Sequence, residues 1–469
     1  GRALAPGFVD VHSHADLSAI VVPEMPSLLR QGITTVVVGN CGSSPWPWVG
    51  WDEGLALAYG EPGSVPRPAG AGFGDYLTAV GAGRPAANVA ALVGHGTIRR
   101  EVLGAARRPP TTAELARMRA LVDEAMDAGA FGLSSGLIYV PGISADTDEV
   151  TALAQVAAAR DGLYASHIRG EGRDLFAAID EAFAIGRGAG LPVHVSHLKC
   201  ESSRVWGRAG GLLETLHEAE DATGDQYPYA AWNSSLASLL PPWAPATEVD
   251  ALVRDDRERL RAAVEEGEPG FQSSVDGVGW DRIVVVDPPD ERWRGRDVAA
   301  IAQDLGVAPF DACVRLLREF PDTSCIGHAM HDDDVRTILA DPEVFVACDG
   351  SATAPHGPGG DLPVHPREYG TFPRALARCR EEGLLPLEAA IRKLTGGPAE
   401  RFGLRDRGTI VEGAFADLVL LDPSGVTDTA TYEHPHAYPV GISMVVVNGE
   451  VAWEDATGAI QRHGRVLRR

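Results

Sequence analysis

Lysine is almost missing from this chain of 469 residues: only Lys199 and Lys393 occur, and arginine supplies nearly all the other positive charge. Acidic side chains outnumber basic ones 65 to 41, a formal charge of -24, so no broad basic face is expected and neither nucleic acid nor an anionic membrane suits the chain as a partner. No run of about eighteen apolar residues occurs, which leaves nothing to span a membrane as a helix. The six cysteines (Cys41, Cys200, Cys313, Cys325, Cys348, Cys379) lack tight paired spacing. In a chain of this length they read as reduced thiols, and a cytoplasmic location is expected. No methionine opens the chain, and Gly1 stands directly before a core strand, so an upstream segment is expected to be missing.

What is present is alternation. Short apolar runs (GFVDVHSH, GITTVVVGNC, VAALVGHG, AFGLSSGLIY, GLYASHIR, LPVHVSHLK, GDQYPYA and VFVACDGS) are separated by helical stretches such as TAELARMRALVDEAMDAG and DLFAAIDEAFAIGRGAG, whose apolar spacing of three and four ends at glycine. Eight strands with seven helical crossovers predict an α/β fold, a (β/α)8 TIM-like barrel over residues 1–401. The seventh connection, from about Ala230 to Glu343, is the longest and predicts an inserted subdomain at about 236–300. Beyond Phe402 the texture changes to GTIVEGAFADLVLLD and VGISMVVVNGEVAWE, β-rich runs with an Asn-Gly turn. Residues 402–469 therefore predict a small β-sandwich module whose N-terminal strands are absent here.

Active sites of such barrels lie at the C-terminal ends of the strands. In order, those ends carry His12 and His14, Cys41, His95, Tyr139, His167, His197 with Lys199, Tyr227 with Tyr229, and Asp349. His12 and His14, two apart on a strand, point to one face and can reach one ion together. Asp349 ends an otherwise apolar strand, where a carboxylate without a partner would cost several kcal/mol, so a cation such as a metal is expected beside it. Each signal has a bland alternative: a buried thiol is usually inert, and a lone His-x-His is more often packing. Their coincidence at one end of one barrel favours a metal site. His95 is equally consistent with a role behind that site and with packing. His194 has the wrong parity to join it, and His328 and His331 read as a helix start.

Taken as a set, GNCG after the second strand, GHGTIR, GLSSGLIY, HIRGEG, SHLK, the YPY element, CDG and HPREYGTFPRAL resemble the D-aminoacylase family (N-acyl-D-amino-acid deacylases) of the amidohydrolase superfamily. The resemblance runs from Pro6 into the C-terminal module. Many superfamily members bridge two metals with a carboxylated lysine, which neither Lys199 nor Lys393 is placed to provide. The loop SATAPHGPGGDL after Asp349 is longer than the family pattern.

The resemblance implies that Cys41, His167 and His197 hold a tight Zn2+, and that His12, His14 and Asp349 line a second, weaker metal position. It implies that Tyr139, Lys199, Tyr229, Ser235 and Arg367 bind the substrate carboxylate, with Asp349 as catalytic acid and base and His95 as a possible supporting group. The implied reaction is zinc-dependent hydrolysis of N-acyl-D-amino acids, small-molecule substrates, to a carboxylate and a free D-amino acid. A cyclic amidase of dihydroorotase or hydantoinase type, or an inactive barrel scaffold, is the alternative.

Overall fold

β-Branched and small apolar residues, bounded by glycine turns, form the strands of the computed structural model, which describes residues 1–51, 65–286, 290–357, 360 and 364–469. In chain order they are β1 (Ala3–Pro6), β2 (Phe8–Asp10), β3 (Ile33–Val38), β4 (Asn88–Ala91), β5 (Val93–Gly94), β6 (Gly132–Gly136), β7 (Leu163–His167), β8 (Val193–Val195) and β9 (Ala222–Gln226). There follow β10 (Trp232–Ser235), β11 (Ile283–Val285), β12 (Ser324–Gly327), β13 (Val344–Val346), β14 (Leu418–Leu421), β15 (Ile442–Val447) and β16 (Glu450–Glu454).

Parallel pairing runs β2-β3-β4 and, separately, β5-β6-β7-β8-β9-β13. The two arcs are one cylinder. β4 and β5 are successive pieces of one strand, broken at Leu92, and Phe131 N donates to Ala91 O across the break. At the other seam Asp349 N donates to His12 O and His14 N to Gly350 O, each 2.8 Å. All eight expected strands thus close into the expected barrel. The seam also brings the end of the first barrel strand against the end of the last.

The crossover helices carry their own start and stop signals. Thr111 and Glu114 form a reciprocal capping box at the start of helix Thr112–Asp127, and helix Leu175–Ala189 ends at Gly190 with φ 73°. Their apolar faces bury Val122, Met126, Ile179 and Phe183 against the strands in one continuous core.

Within the seventh connection β10, β12 and β11 make an antiparallel sheet over a separate apolar cluster that includes Leu260, Ile283, Ile301 and Phe310. This sheet draws on residues up to Gly327, beyond the 236–300 span expected for the insertion. The third sheet, β1-β14-β15-β16, is antiparallel, and β1 is a strand that the sequence reading did not separate from the first barrel strand. Its hairpin β15-β16 turns at Asn448 and Gly449, both with positive φ (54° and 89°), the conformation for which Asn-Gly is favoured. Buried Asp417 ties sheet to barrel: it is paired with Arg407 and reached by Asn88 of β4 and Asn448 N. Of the loop SATAPHGPGGDL, positions 358–359 and 361–362 lie outside the described residues. No helix among the described residues is long and apolar enough to cross a membrane.

Candidate active site

The turn after β3 explains why a cysteine stands at its tip. Gly42, at φ 71°, lies so close to the end of β6 that a Cβ there would sit 2.6 Å from Gly136 N, and one on Gly136 would sit 2.2 Å from Cys41 O. The two backbones interlock, Gly42 N donates to Ser134 Oγ, and Cys41 is forced inward at φ 53°. His197 (φ 35°) and Asp349 (φ 50°) also hold left-handed backbone. Three of the six expected ligands therefore occupy a region that non-glycine residues rarely adopt, a form of strain that concentrates at functional sites.

Sγ of Cys41 lies 3.3 Å from His12 Nε2, 3.5 Å from His167 Nδ1 and 3.6 Å from His197 Nε2. Zinc bound at about 2.3 Å to sulfur and about 2.0–2.1 Å to nitrogen places those two atoms about 3.5–3.6 Å apart at tetrahedral angles. The Cys41–His167 and Cys41–His197 edges match that figure. Two ligand groups share the thiol: Cys41 with His167 and His197, and Cys41 with His12, His14 and Asp349. In the second group Asp349 Oδ1 stands 3.1 Å from His14 Nε2 and 3.4 Å from His12 Nε2.

The charges fit a cation. Burial alone would raise the Cys41 thiol, but the charge of His12 and hydrogen bonds from His12, His14 and His167 outweigh it and hold the group well below the ordinary thiol range. Cys200 and Cys313, buried away from such partners, are pushed up to about 12. Burial likewise opposes ionisation of Asp349, yet Arg367 and His14 hold it well below the usual carboxylate range. Arg367 Nη1 is 2.8 Å from Asp349 Oδ2, and its guanidinium lies 4.9 Å from the centre of the Tyr227 ring.

Of the expected substrate contacts, the structure brings Lys199, Arg367 and Tyr139 to this cluster. Tyr139, at the rim and 38% exposed, has its ring 4.7 Å from that of His167. Burial and the nearby anions, Cys41 first, keep its phenol protonated. Tyr229, Ser235 and His95 are placed elsewhere. The Tyr229 hydroxyl donates to Pro366 O (3.4 Å) under helix Arg367–Glu381, and it is Tyr227 that lies under Arg367. Ser235 Oγ accepts from Ala237 N as the cap of a short turn at the end of β10. His95 opens helix His95–Leu103 rather than ending a strand, and its fully buried ring meets Glu149 at 2.9 Å beside the Arg99–Glu149 ion pair. There it joins two helices, His95–Leu103 and Thr147–Ala158. His365 is buried at 0% exposure and accepts from Arg367 N.

Two buried carboxylates escaped the sequence reading. Asp225 of β9 takes His194 Nε2 at 2.8 Å, accepts from His197 N and stands 3.4 Å from His12 Nδ1, so it holds two expected ligands from behind. Glu171, four residues after His167, lies 2.7 Å from Lys199 Nζ and 3.0 Å from His197 Nδ1. The acid in HIRGEG was the available signal for Glu171, and the acid in the apolar run GDQYPY for Asp225.

The amidohydrolase family profile matches residues 1–312 and 357–452. D-aminoacylase from Alcaligenes xylosoxydans xylosoxydans is 36% identical over all of this chain and 88% of its own length. N-acyl-D-aspartate deacylase from the same organism is 37% identical, over 100% and 85%. The crystal structure of N-acyl-D-glutamate deacylase from Bordetella bronchiseptica, complexed with zinc and a phosphonate inhibitor, covers all of this chain and 90% of its own at a TM-score of 0.81 and 34% identity. D-hydantoinase, at 14% identity and a TM-score of 0.51, shares the fold alone.

Proposed function

We propose that this chain, which belongs to the amidohydrolase family, is a zinc-dependent deacylase that cleaves the amide bond of N-acyl-D-amino acids. The observation that carries the reading is a thiolate and two imidazoles at tetrahedral zinc spacing beside an ionised Asp349 clamped by Arg367. Cys41, His167 and His197 would hold the tight ion, and His12, His14 and Asp349 a weaker one. Bound there, zinc supplies a Lewis acid that polarises the acyl carbonyl and makes water acidic enough to attack at neutral pH.

The side chains do the rest. Asp349 takes a proton from the attacking water as the new C–O bond forms. It then delivers that proton to the nitrogen as the C–N bond breaks, so that a carboxylate and a free amine leave. Arg367, whose fork matches a carboxylate, and Lys199 hold the α-carboxylate of the substrate. The protonated Tyr139 donates to the carbonyl oxygen as it gains charge. Tyr229 and Ser235 act through the scaffold: Tyr229 props the helix that begins with Arg367, and Ser235 shapes the inserted sheet.

Residues 1–401 form the catalytic barrel with its insertion, and residues 402–469 the β module, to which β1 adds a strand. Cys41, Cys200, Cys313, Cys348 and Cys379 are free thiols, which supports a cytoplasmic site of action. A cyclic amidase is disfavoured by the position of the only two lysines, Lys199 after β8 and Lys393 in helix Leu387–Leu394.

The test is metal analysis together with turnover of N-acetyl and N-formyl amino acids of both hands. Zinc-dependent release of D-amino acids alone is expected. Turnover of the L series, or none of either hand by zinc-loaded protein, would overturn the reading.

A further inference from the structure

His167 and His197 face the Cys41 thiol through different nitrogens. His167 presents Nδ1 and keeps Nε2 behind, whereas His197 presents Nε2 and keeps Nδ1 behind. Their rings stand 4.3 Å apart at 81°, so the two rear nitrogens converge on one region. Glu171 occupies it: one oxygen is 3.0 Å from His197 Nδ1 and the other 3.8 Å from His167 Nε2. That His167 atom is buried with no hydrogen-bond partner.

An imidazole bound to a metal through one nitrogen carries hydrogen on the other, and an acceptor there fixes the tautomer and the ring plane. Lys199 sharpens the need. Its Nζ is 2.7 Å from His197 Nδ1 and 2.7 Å from Glu171 Oε1. Two donors would meet at that point, and the Glu171 oxygen beside both is an acceptor that serves each. The backbone that carries the carboxylate is itself held, because Glu201 N donates to the Glu171 main-chain carbonyl and Gly172 N donates to Gln272 Oε1, both at 2.8 Å.

We propose that Glu171 is the positioning residue of the tight metal site, a single carboxylate that orients both of its imidazoles from behind. This rests on the reading that Cys41, His167 and His197 hold the ion. Asp225 and Glu171 differ in what they hold: Asp225 faces the ring of His12 and takes only the backbone of His197, whereas Glu171 faces the rear ring nitrogens of both His167 and His197.

The experiment compares zinc-loaded wild type, Glu171→Gln and Cys41→Ala by competition with a chromogenic chelator. Cobalt-substituted samples are followed by visible absorption and the fold by circular dichroism. Glu171→Gln is expected to bind zinc about 10–100-fold more weakly with an unchanged fold, and to shift the cobalt bands, which a purely structural role would leave in place. Zinc affinity and cobalt bands equal to wild type in Glu171→Gln, with zinc lost from Cys41→Ala, overturn this proposal alone. Zinc retained by Cys41→Ala removes the metal reading and this proposal with it.

Nitrogen-15 imidazole spectra of the zinc-loaded wild type need no variant. Slowly exchanging hydrogens on His197 Nδ1 and His167 Nε2 are expected, and exchange as fast as that of an exposed histidine would contradict the shared carboxylate.

Discussion

Replacing Arg367 with methionine tests how the site divides its two charges. The guanidinium sits 2.8 Å from Asp349 and is the largest charge that offsets the burial of that carboxyl. Removing it has two separable effects. Loss of one charge-assisted hydrogen bond to a substrate carboxylate is worth about 1.5–3 kcal/mol, or about 10–150-fold in kcat/KM at about 1.4 kcal/mol per tenfold. The second effect falls on Asp349, whose carboxyl is held well below its ordinary range against desolvation by Arg367 foremost, with His14, His12 and His197. Without Arg367 that carboxyl rises, so more acid remains protonated at a given pH. The acidic limb of the kcat profile must therefore move to higher pH. The assay is steady-state kinetics from about pH 5 to 9 on an N-acetyl-D-amino acid and on its α-carboxamide, with zinc measured in parallel. KM should rise for the acid and hardly change for the amide, the limb should shift for both, and zinc should stay bound. Unaltered kinetics on the acid, with an unshifted limb, would refute both roles given to Arg367.

Three other outcomes follow from particular contacts. Cys41 is the one cysteine that is not buried and has a depressed thiol, so iodoacetamide at neutral pH should label it alone in chelator-stripped protein and spare it once zinc is restored; mass spectrometry showing another labelled cysteine would contradict the electrostatics. Tyr139→Phe should lower kcat by about 10²–10³ with little change in KM if the phenol stabilises the oxyanion, and unchanged kcat would remove it from the chemistry. His95→Ala leaves buried Glu149 with one partner fewer and should cost about 1–3 kcal/mol in thermal or urea unfolding while zinc content stays that of wild type; loss of kcat without loss of stability would return His95 to the site.

The barrel and the clustering of its candidate metal ligands were legible because both depend on local rules. Parity two put His12 and His14 on one face, glycines bracketed Cys41, and an acid ending an apolar strand required a cation. Legibility ends where regular structure stops. β9 ends at Gln226, so no alternation governs Tyr227 and Tyr229 on either side of Pro228: the Tyr229 hydroxyl meets Pro366 O, while the Tyr227 ring lies under Arg367. β5 ends at Gly94, so the direction of the His95 side chain is set by the helix it begins rather than by the strand before it. Apart from His167, four residues before Glu171, the partners that give Glu171 and Asp225 their roles lie 26 to 28 residues or more away, which no spacing rule reaches. Ser235 belongs to an antiparallel sheet whose other strands begin at Ile283 and Ser324, a pairing that local pattern cannot specify.

Zinc content of purified wild type and Cys41→Ala, after exhaustive dialysis and with matching circular dichroism, tests the central claim most directly. One tightly held zinc per wild-type chain, absent from the variant, is the expected result. Equal zinc in both proteins would mean that the thiol at the barrel mouth does not bind the metal on which the hydrolysis depends.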